Sequence, residues 1–188
     1  MNNSRASLSA CLLTITLGLA LAAPGAADSG ISVSAGPAFL LGASDTQIGG
    51  QIQSDIGLGY DLGPKAIVPI RVSLDLNYAG GSNDLGSLST YGLGAGARLT
   101  TPAYVGASVS LVDVNVHPSS AAFPAGIIGG QEPAASSTVG VGESFFVGQR
   151  LFGIPGGGGL ALQATYRHMP SSGGYDPSNI TLGLRASF

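Results

Sequence analysis

The 188-residue chain has no tryptophan, one cysteine and one lysine, and only 9% of its residues are charged, against roughly 25% in ordinary soluble domains. Each shortage excludes something. Cys11 lies in the apolar N-terminal stretch, so residues 28–188 have no disulfide, no thiol nucleophile and no cysteine metal site. A pI near 5.0 without a basic patch argues against nucleic-acid binding. Mean hydropathy is +0.37, yet beyond the N-terminal stretch no apolar run is long enough to cross a bilayer as a helix. A chain this poor in charge would cover a soluble domain badly. Strands with one face toward lipid resolve the conflict, because in hydrocarbon only helices and closed barrels satisfy their own backbone groups.

Residues 1–27 read as a secretory signal: Arg5, then the apolar run Leu8 to Ala23, then Gly25, Ala26 and Ala27 before Asp28, with cleavage near Ala27. The alternative is an uncleaved anchor, since the run approaches the ~20 residues of a spanning helix; the Pro24-Gly25-Ala26-Ala27 exit favours processing. Leu8-Ser9-Ala10-Cys11 looks like a lipobox, but the apolar run follows the cysteine instead of preceding it. Residues 28–188 form one domain.

What that domain contains is a period-two pattern, the mark of strands with unlike faces. Ile70, Val72, Leu74, Leu76 and Tyr78 alternate with Arg71, Ser73, Asp75 and Asn77, and Ile180, Leu182, Leu184, Ala186 and Phe188 with Asn179, Thr181, Gly183, Arg185 and Ser187. Six further segments, beginning near Ile31, Gln51, Thr90, Val105, Thr138 and Leu160, repeat it. Eight segments of about ten residues predict an all-β fold: an eight-stranded antiparallel up-and-down transmembrane β-barrel. Short turns at Gly63-Pro64-Lys65, Thr100-Thr101-Pro102 and Pro155 to Gly159 would face the periplasm. The outward loops would be Ala43 to Gly50, Gly80 to Ser87, His117 to Ser137 and Met169 to Pro177. In the fifth segment the phase changes at Val112, which predicts a bulge that turns Asp113 and Asn115 to the polar side.

A soluble barrel of lipocalin type would turn the apolar face inward around a ligand. The charges decide against it, because a soluble exterior needs far more lysine and glutamate. The lumen is therefore expected to hold a network of Asp55, Asp61, Arg71, Asp75, Arg98, Asp113, Glu143, Arg150, Arg167 and Arg185. Strict parity would put Glu143 in lipid; a bulge near Gly142 would bring it inside, where five acids then face five arginines. With no tryptophan, the interfacial girdle falls to Tyr60, Tyr78, Tyr91, Tyr104, Tyr166 and phenylalanines.

Asn179-Ile180-Thr181-Leu182-Gly183-Leu184-Arg185-Ala186-Ser187-Phe188 resembles the closing strand of small outer-membrane barrels of the OmpA and opacity-protein type. The resemblance implies residence in the outer membrane among its lipids. It also implies insertion by the barrel assembly machinery, with Phe188 as the terminal aromatic that the machinery reads. It implies little about activity.

Catalytic material is thin. Two isolated histidines, His117 and His168, make a poor metal site, so neither metal nor cofactor is expected. Gly156 to Gly159 lacks the Lys-Ser/Thr of a phosphate loop, and Gly92, Gly94 and Gly96 lie on one strand face. Tyr166-Arg167-His168-Met169-Pro170-Ser171-Ser172 looks like the outer-membrane lipid A deacylases, in which a lipid-facing Ser–His pair with a carboxylate cleaves an acyl ester. Here His168 with Ser171 or Ser172 would be the pair. The serine is displaced by one residue, however, and of the acids only Asp176 is near in sequence. The expected function is a non-enzymatic structural or surface-interaction role, with a narrow passive pore and a lipid A esterase as alternatives.

Overall fold

The computed structural model describes residues 30–41, 48–62, 70–99, 103–119, 135–153 and 158–188. The signal segment, Cys11, the turns at 63–65 and 100–102, and most of the loops at 43–50 and 117–137 lie outside these residues. Eight strands run in chain order: β1 (Ile31–Leu40), β2 (Ile52–Leu62), β3 (Ile70–Asn83), β4 (Gly86–Leu99), β5 (Ala103–Pro118), β6 (Ser136–Gly153), β7 (Gly159–His168) and β8 (Asn179–Ser187). Each pairs antiparallel with its neighbours, and β1 with β8, closing the barrel. Beyond the last rung the Phe188 amide donates to the Ile31 carbonyl at 2.9 Å, which fastens the seam. Pro37, which has no N–H to give, occupies β1 where its pairing with β8 is interrupted.

The wall is inside out relative to a soluble barrel. Leu58, Leu74, Leu76, Leu93, Val109, Leu111, Val141, Phe145 and Leu182 project outward and exposed, while Ser32, Asp55, Ser73, Ser144, Thr165, Arg167 and Arg185 are buried in the lumen. Exposing this much apolar surface to water is untenable for a monomeric soluble protein. The fold is therefore a transmembrane barrel.

Strands β3 to β6 are longer than the sequence pattern predicted. Gly80 to Ser87, expected as a loop, is mostly strand: β3 and β4 continue to Asn83↔Gly86 and turn at Asp84-Leu85. The Asn83 side-chain oxygen accepts from the Leu85 amide at 3.1 Å and the Gly49 amide at 3.3 Å. Gly86 takes φ +139°, a conformation that disfavours a side chain.

The predicted bulge at Val112 is absent. The β4–β5 register runs unbroken from Gly86↔Pro118 to Leu99↔Val105. What changes is the surroundings. On the rung Tyr78–Tyr91–Asp113–Val139 the outward face is still partly aromatic and apolar; one rung further out it is Gly80–Ser89–Asn115–Ser137. Inside the same stretch Val112, Val114, Val116, Leu88, Ile48, Leu40 and Met169 pack into an apolar cluster. Outside the bilayer, water lies against the wall and the interior must close on itself, so the polarity of both faces reverses without any irregularity in the backbone. Asp113 consequently faces outward, where it accepts from the Ser137 hydroxyl at 2.9 Å.

Lumen glycines make room for rings. A Cβ on Gly148 would overlap the Tyr104 ring, and one on Gly106 the Phe146 ring. These two rings meet edge to face at 6.4 Å. Tyr104 thus turns inward, hydrogen-bonding Gln163 at 2.9 Å, and is not part of the girdle. Gly148→Val is expected to lower stability by about 1–3 kcal/mol through overpacking, read as a drop in the unfolding midpoint of the refolded barrel, whereas Ala164→Val on the outward face leaves it unchanged.

Candidate functional site

Two groups of polar residues stand out against this frame, one in the lumen and one on the lipid-facing wall. In the lumen, β2 directs Asp55 and Asp61 inward because they share parity with Gln53, Gly57 and Gly59. The Arg167 guanidinium, from β7, donates to Asp55 at 2.6 Å, and both groups are almost fully buried. Asp61 takes two arginines: Arg98 closely, and Arg71 at 3.5 Å, whose side chain is 47% exposed at the rim of the barrel. Asp75 accepts from Ser73 at 2.8 Å. Arg185 is held by neutral partners, Ser32 at 2.7 Å and Gln163 at 3.5 Å. A lumen cavity lined by Ser32, Gly57, Asp75, Ser144, Arg167 and Arg185 measures about 40 Å³.

The ten residues expected in one network are thus divided. Asp55, Asp61, Asp75, Arg98, Arg167 and Arg185 face the lumen, and Arg71 reaches Asp61 from the rim. Arg150 is exposed at the end of β6, beside the register shift between Arg150 and Phe152. Asp113 and Glu143 point away from the lumen. The charge count misled here because it assumed that every arginine needs an acid. Arg71 shares Asp61 with Arg98, Arg150 is exposed, and Arg185 is hydrogen-bonded by the Ser32 hydroxyl and the Gln163 amide with its Nε unpaired, so none of the three brings Glu143 inside.

Glu143 forms the second group. Its register is regular, opposite Val109 on β5 and His168 on β7. It is exposed on the outer wall with Val141 and Phe145 as its neighbours along the same face. His168 also faces outward, two residues beyond Tyr166, and its Nδ1 lies 3.3 Å from the Ser178 hydroxyl. The Ser178 oxygen in turn accepts from the Met169 amide at 3.2 Å. Neither serine expected beside His168 is its partner. Ser172 is buried and bonds Ser136 at 3.1 Å and Thr138 at 3.0 Å; Ser171 is exposed. Asp176 accepts from the Ser178 amide at 2.9 Å. Reading Ser178 and Glu143 as neighbours of His168 from sequence would have required the register between β6, β7 and β8, which alternation does not contain. Among the described residues no three His, Cys, Asp or Glu side chains are grouped as metal ligands.

Comparison with solved structures finds the same architecture. Neisserial surface protein A (NspA) superposes with a TM-score of 0.50 at 20% identity, covering 85% of this chain and 98% of that one. The fold is that of the small outer-membrane barrels. Ail, the attachment invasion locus protein of Yersinia pestis, superposes with a TM-score of 0.51 at 13% identity, covering 85% of this chain and 95% of that one. At these identities the likeness concerns the fold. No protein-family model matches the chain, and no curated protein matches it in sequence.

Proposed function

We propose that the chain is a non-conducting, non-enzymatic outer-membrane barrel with a structural or surface-interaction role. In this reading residues 1–27 export it, cleavage falls near Ala27, the new N-terminus lies in the periplasm, and the barrel assembly machinery inserts it by way of Phe188. The observation that carries the reading is the double obstruction of the lumen. Side chains cross-linked by Asp55–Arg167 and Asp61–Arg98 fill the middle. Beyond them, among the described residues, an apolar cluster around Val114 and Leu88, both with no exposed surface, packs inside the barrel. Eight strands enclose only enough space for side chains to fill. A surface role accords with the two similar structures, which are named as a surface protein and an attachment protein.

A hydrolase needs an accessible nucleophile. Ser178, the hydroxyl that touches His168, is 3% exposed and held by the Met169 amide. Planar-bilayer recording of the refolded barrel tests the proposal: no unitary current steps are expected. Regular steps abolished by filling the residual void, for example with Gly57→Leu, would establish a pore instead.

A further inference from the structure

Glu143 is a carboxylate on a wall built to face lipid. An ionisable side chain there costs stability and by default marks a site with a partner. Its neighbours suggest what that partner is. A shallow groove of about 440 Å³ opens at Glu143, floored by Ala95, Ala97 and Ala107 and flanked by Val109 and Phe145. Three alanines on adjacent strands leave a furrow between larger side chains, with room for an acyl chain. Across the β6–β7 rung from Glu143 stands His168. The Ser178 hydroxyl, whose oxygen accepts from the Met169 amide, shares a hydrogen bond with His168 Nδ1 at 3.3 Å. In the tautomer in which Ser178 is the donor of that bond, the ring proton stands on Nε2 as an outward donor. The wall therefore offers a carboxylate acceptor and an imidazole donor side by side at the head of an apolar furrow. Tyr166, Tyr78 and Tyr91 face outward on the same half of the barrel, which is the half toward the loops. Asp113, a further outward acid on this half, adds to the negative charge. No Lys or Arg among the described residues projects from the wall at this level, since Arg71 and Arg150 lie at the opposite end.

We infer that Glu143, His168 and the alanine furrow bind a membrane phospholipid whose headgroup carries a primary ammonium. The ammonium sits on the Glu143 carboxylate, the phosphate accepts from His168 Nε2–H, and one acyl chain lies over Ala95, Ala97 and Ala107. Charge selects this headgroup over an anionic one, and the N–H donors select it over a trimethylated one.

The inference rests on the barrel lying in a bilayer, so insertion is scored separately, by protease protection of the full chain in vesicles. Native mass spectrometry then reads lipid retained by the detergent-solubilised barrel offered equal amounts of phosphatidylethanolamine, phosphatidylglycerol and phosphatidylcholine. Phosphatidylethanolamine is expected to be retained about tenfold over the other two, the worth of one charge-assisted hydrogen bond. Glu143→Gln brings the three to near parity. Ala107→Leu, which fills the furrow and leaves the charges alone, lowers retention of all three. Glu143→Val folds at least as well as the parent in vesicles of phosphatidylglycerol alone, because it removes a charge from lipid. Equal retention of the three lipids by the inserted parent protein, or an undiminished preference in Glu143→Gln, would overturn the site while leaving the membrane reading intact. Failure to insert would overturn both.

Discussion

Asp55→Ala is expected to cost about 3–5 kcal/mol of unfolding free energy, because it strands the buried Arg167 guanidinium without its acid. The pair joins β2 to β7 at 2.6 Å across the lumen, and among the described residues the other hydrogen bond of Arg167 is to the Thr181 hydroxyl, at 3.5 Å. Of the other lumen acids, Asp61 is already engaged by Arg98 and Arg71, and Asp75 accepts from the Ser73 hydroxyl. Denaturant titration of the refolded barrel in vesicles measures the loss. The double variant Asp55→Leu, Arg167→Met is expected to recover most of it, since an apolar pair of similar volume replaces the ion pair without desolvation cost. A single variant as stable as the parent would show that water in the lumen neutralises the arginine, and that the network contributes little to closure.

The second large effect concerns depth. Leu74 lies at the centre of the outward row Ile70, Val72, Leu74, Leu76 and Tyr78, and Leu74→Arg is expected to destabilise the barrel by about 2–4 kcal/mol, the midplane value for a cation on a lipid face. Asn115→Arg, on the outward face of β5 one rung beyond Asp113, is expected to cost no more than about 1 kcal/mol, because that position lies at or beyond the boundary with water. The same titration in vesicles reads both. Equal penalties would mean that the bilayer reaches past the Tyr78–Tyr91–Asp113 rung, contrary to the reversal of polarity seen there. Val114→Asp gives a third point on this scale: it is one residue from Asn115 but faces inward with no exposed surface, and an unpaired acid there is expected to open the apolar cluster.

Much of this architecture was legible in the chain itself, and for a simple reason. A transmembrane strand is divided between two solvents, lipid and a polar interior, and alternation records that division residue by residue. The segments around Ile70–Tyr78 and Ile180–Phe188 therefore showed their strands, their faces and their direction. The misreadings occurred where that rule ends. Beyond Leu111 the solvents change places, so Val112, Val114 and Val116 turn inward while Asp113 and Asn115 turn outward along an unbroken strand; in the sequence alone this pattern reads as a slipped phase and predicts a bulge. The loop predicted at Gly80 to Ser87 is strand for the same reason: above the bilayer both of its faces are small and polar, as turns are. Tyr104 was assigned to the girdle because tyrosine favours interfaces, but the space opened by Gly148 takes it inside.

The lumen could be described by its residue types but not by its pairs. Which acid meets which arginine depends on the stagger between strands, and Asp55 and Arg167 are separated by 112 positions in the chain. Glu143 shows the limit most clearly. Alternation alone put it outward, and a charge count overruled that reading. The count assigns each arginine its own acid, whereas Arg71 shares Asp61 with Arg98, Arg150 is exposed and Arg185 is bonded by neutral groups. Sequence by itself thus determined the number of strands and the lipid-facing surface, because each follows from local composition and a two-residue period. Tertiary structure alone decided that an apolar cluster packs inside one end of the barrel, that Ser178 and not Ser171 or Ser172 touches His168, and that Glu143 stands opposite His168 on the wall. Those are consequences of register between strands, a long-range quantity set by how the closed barrel packs its interior.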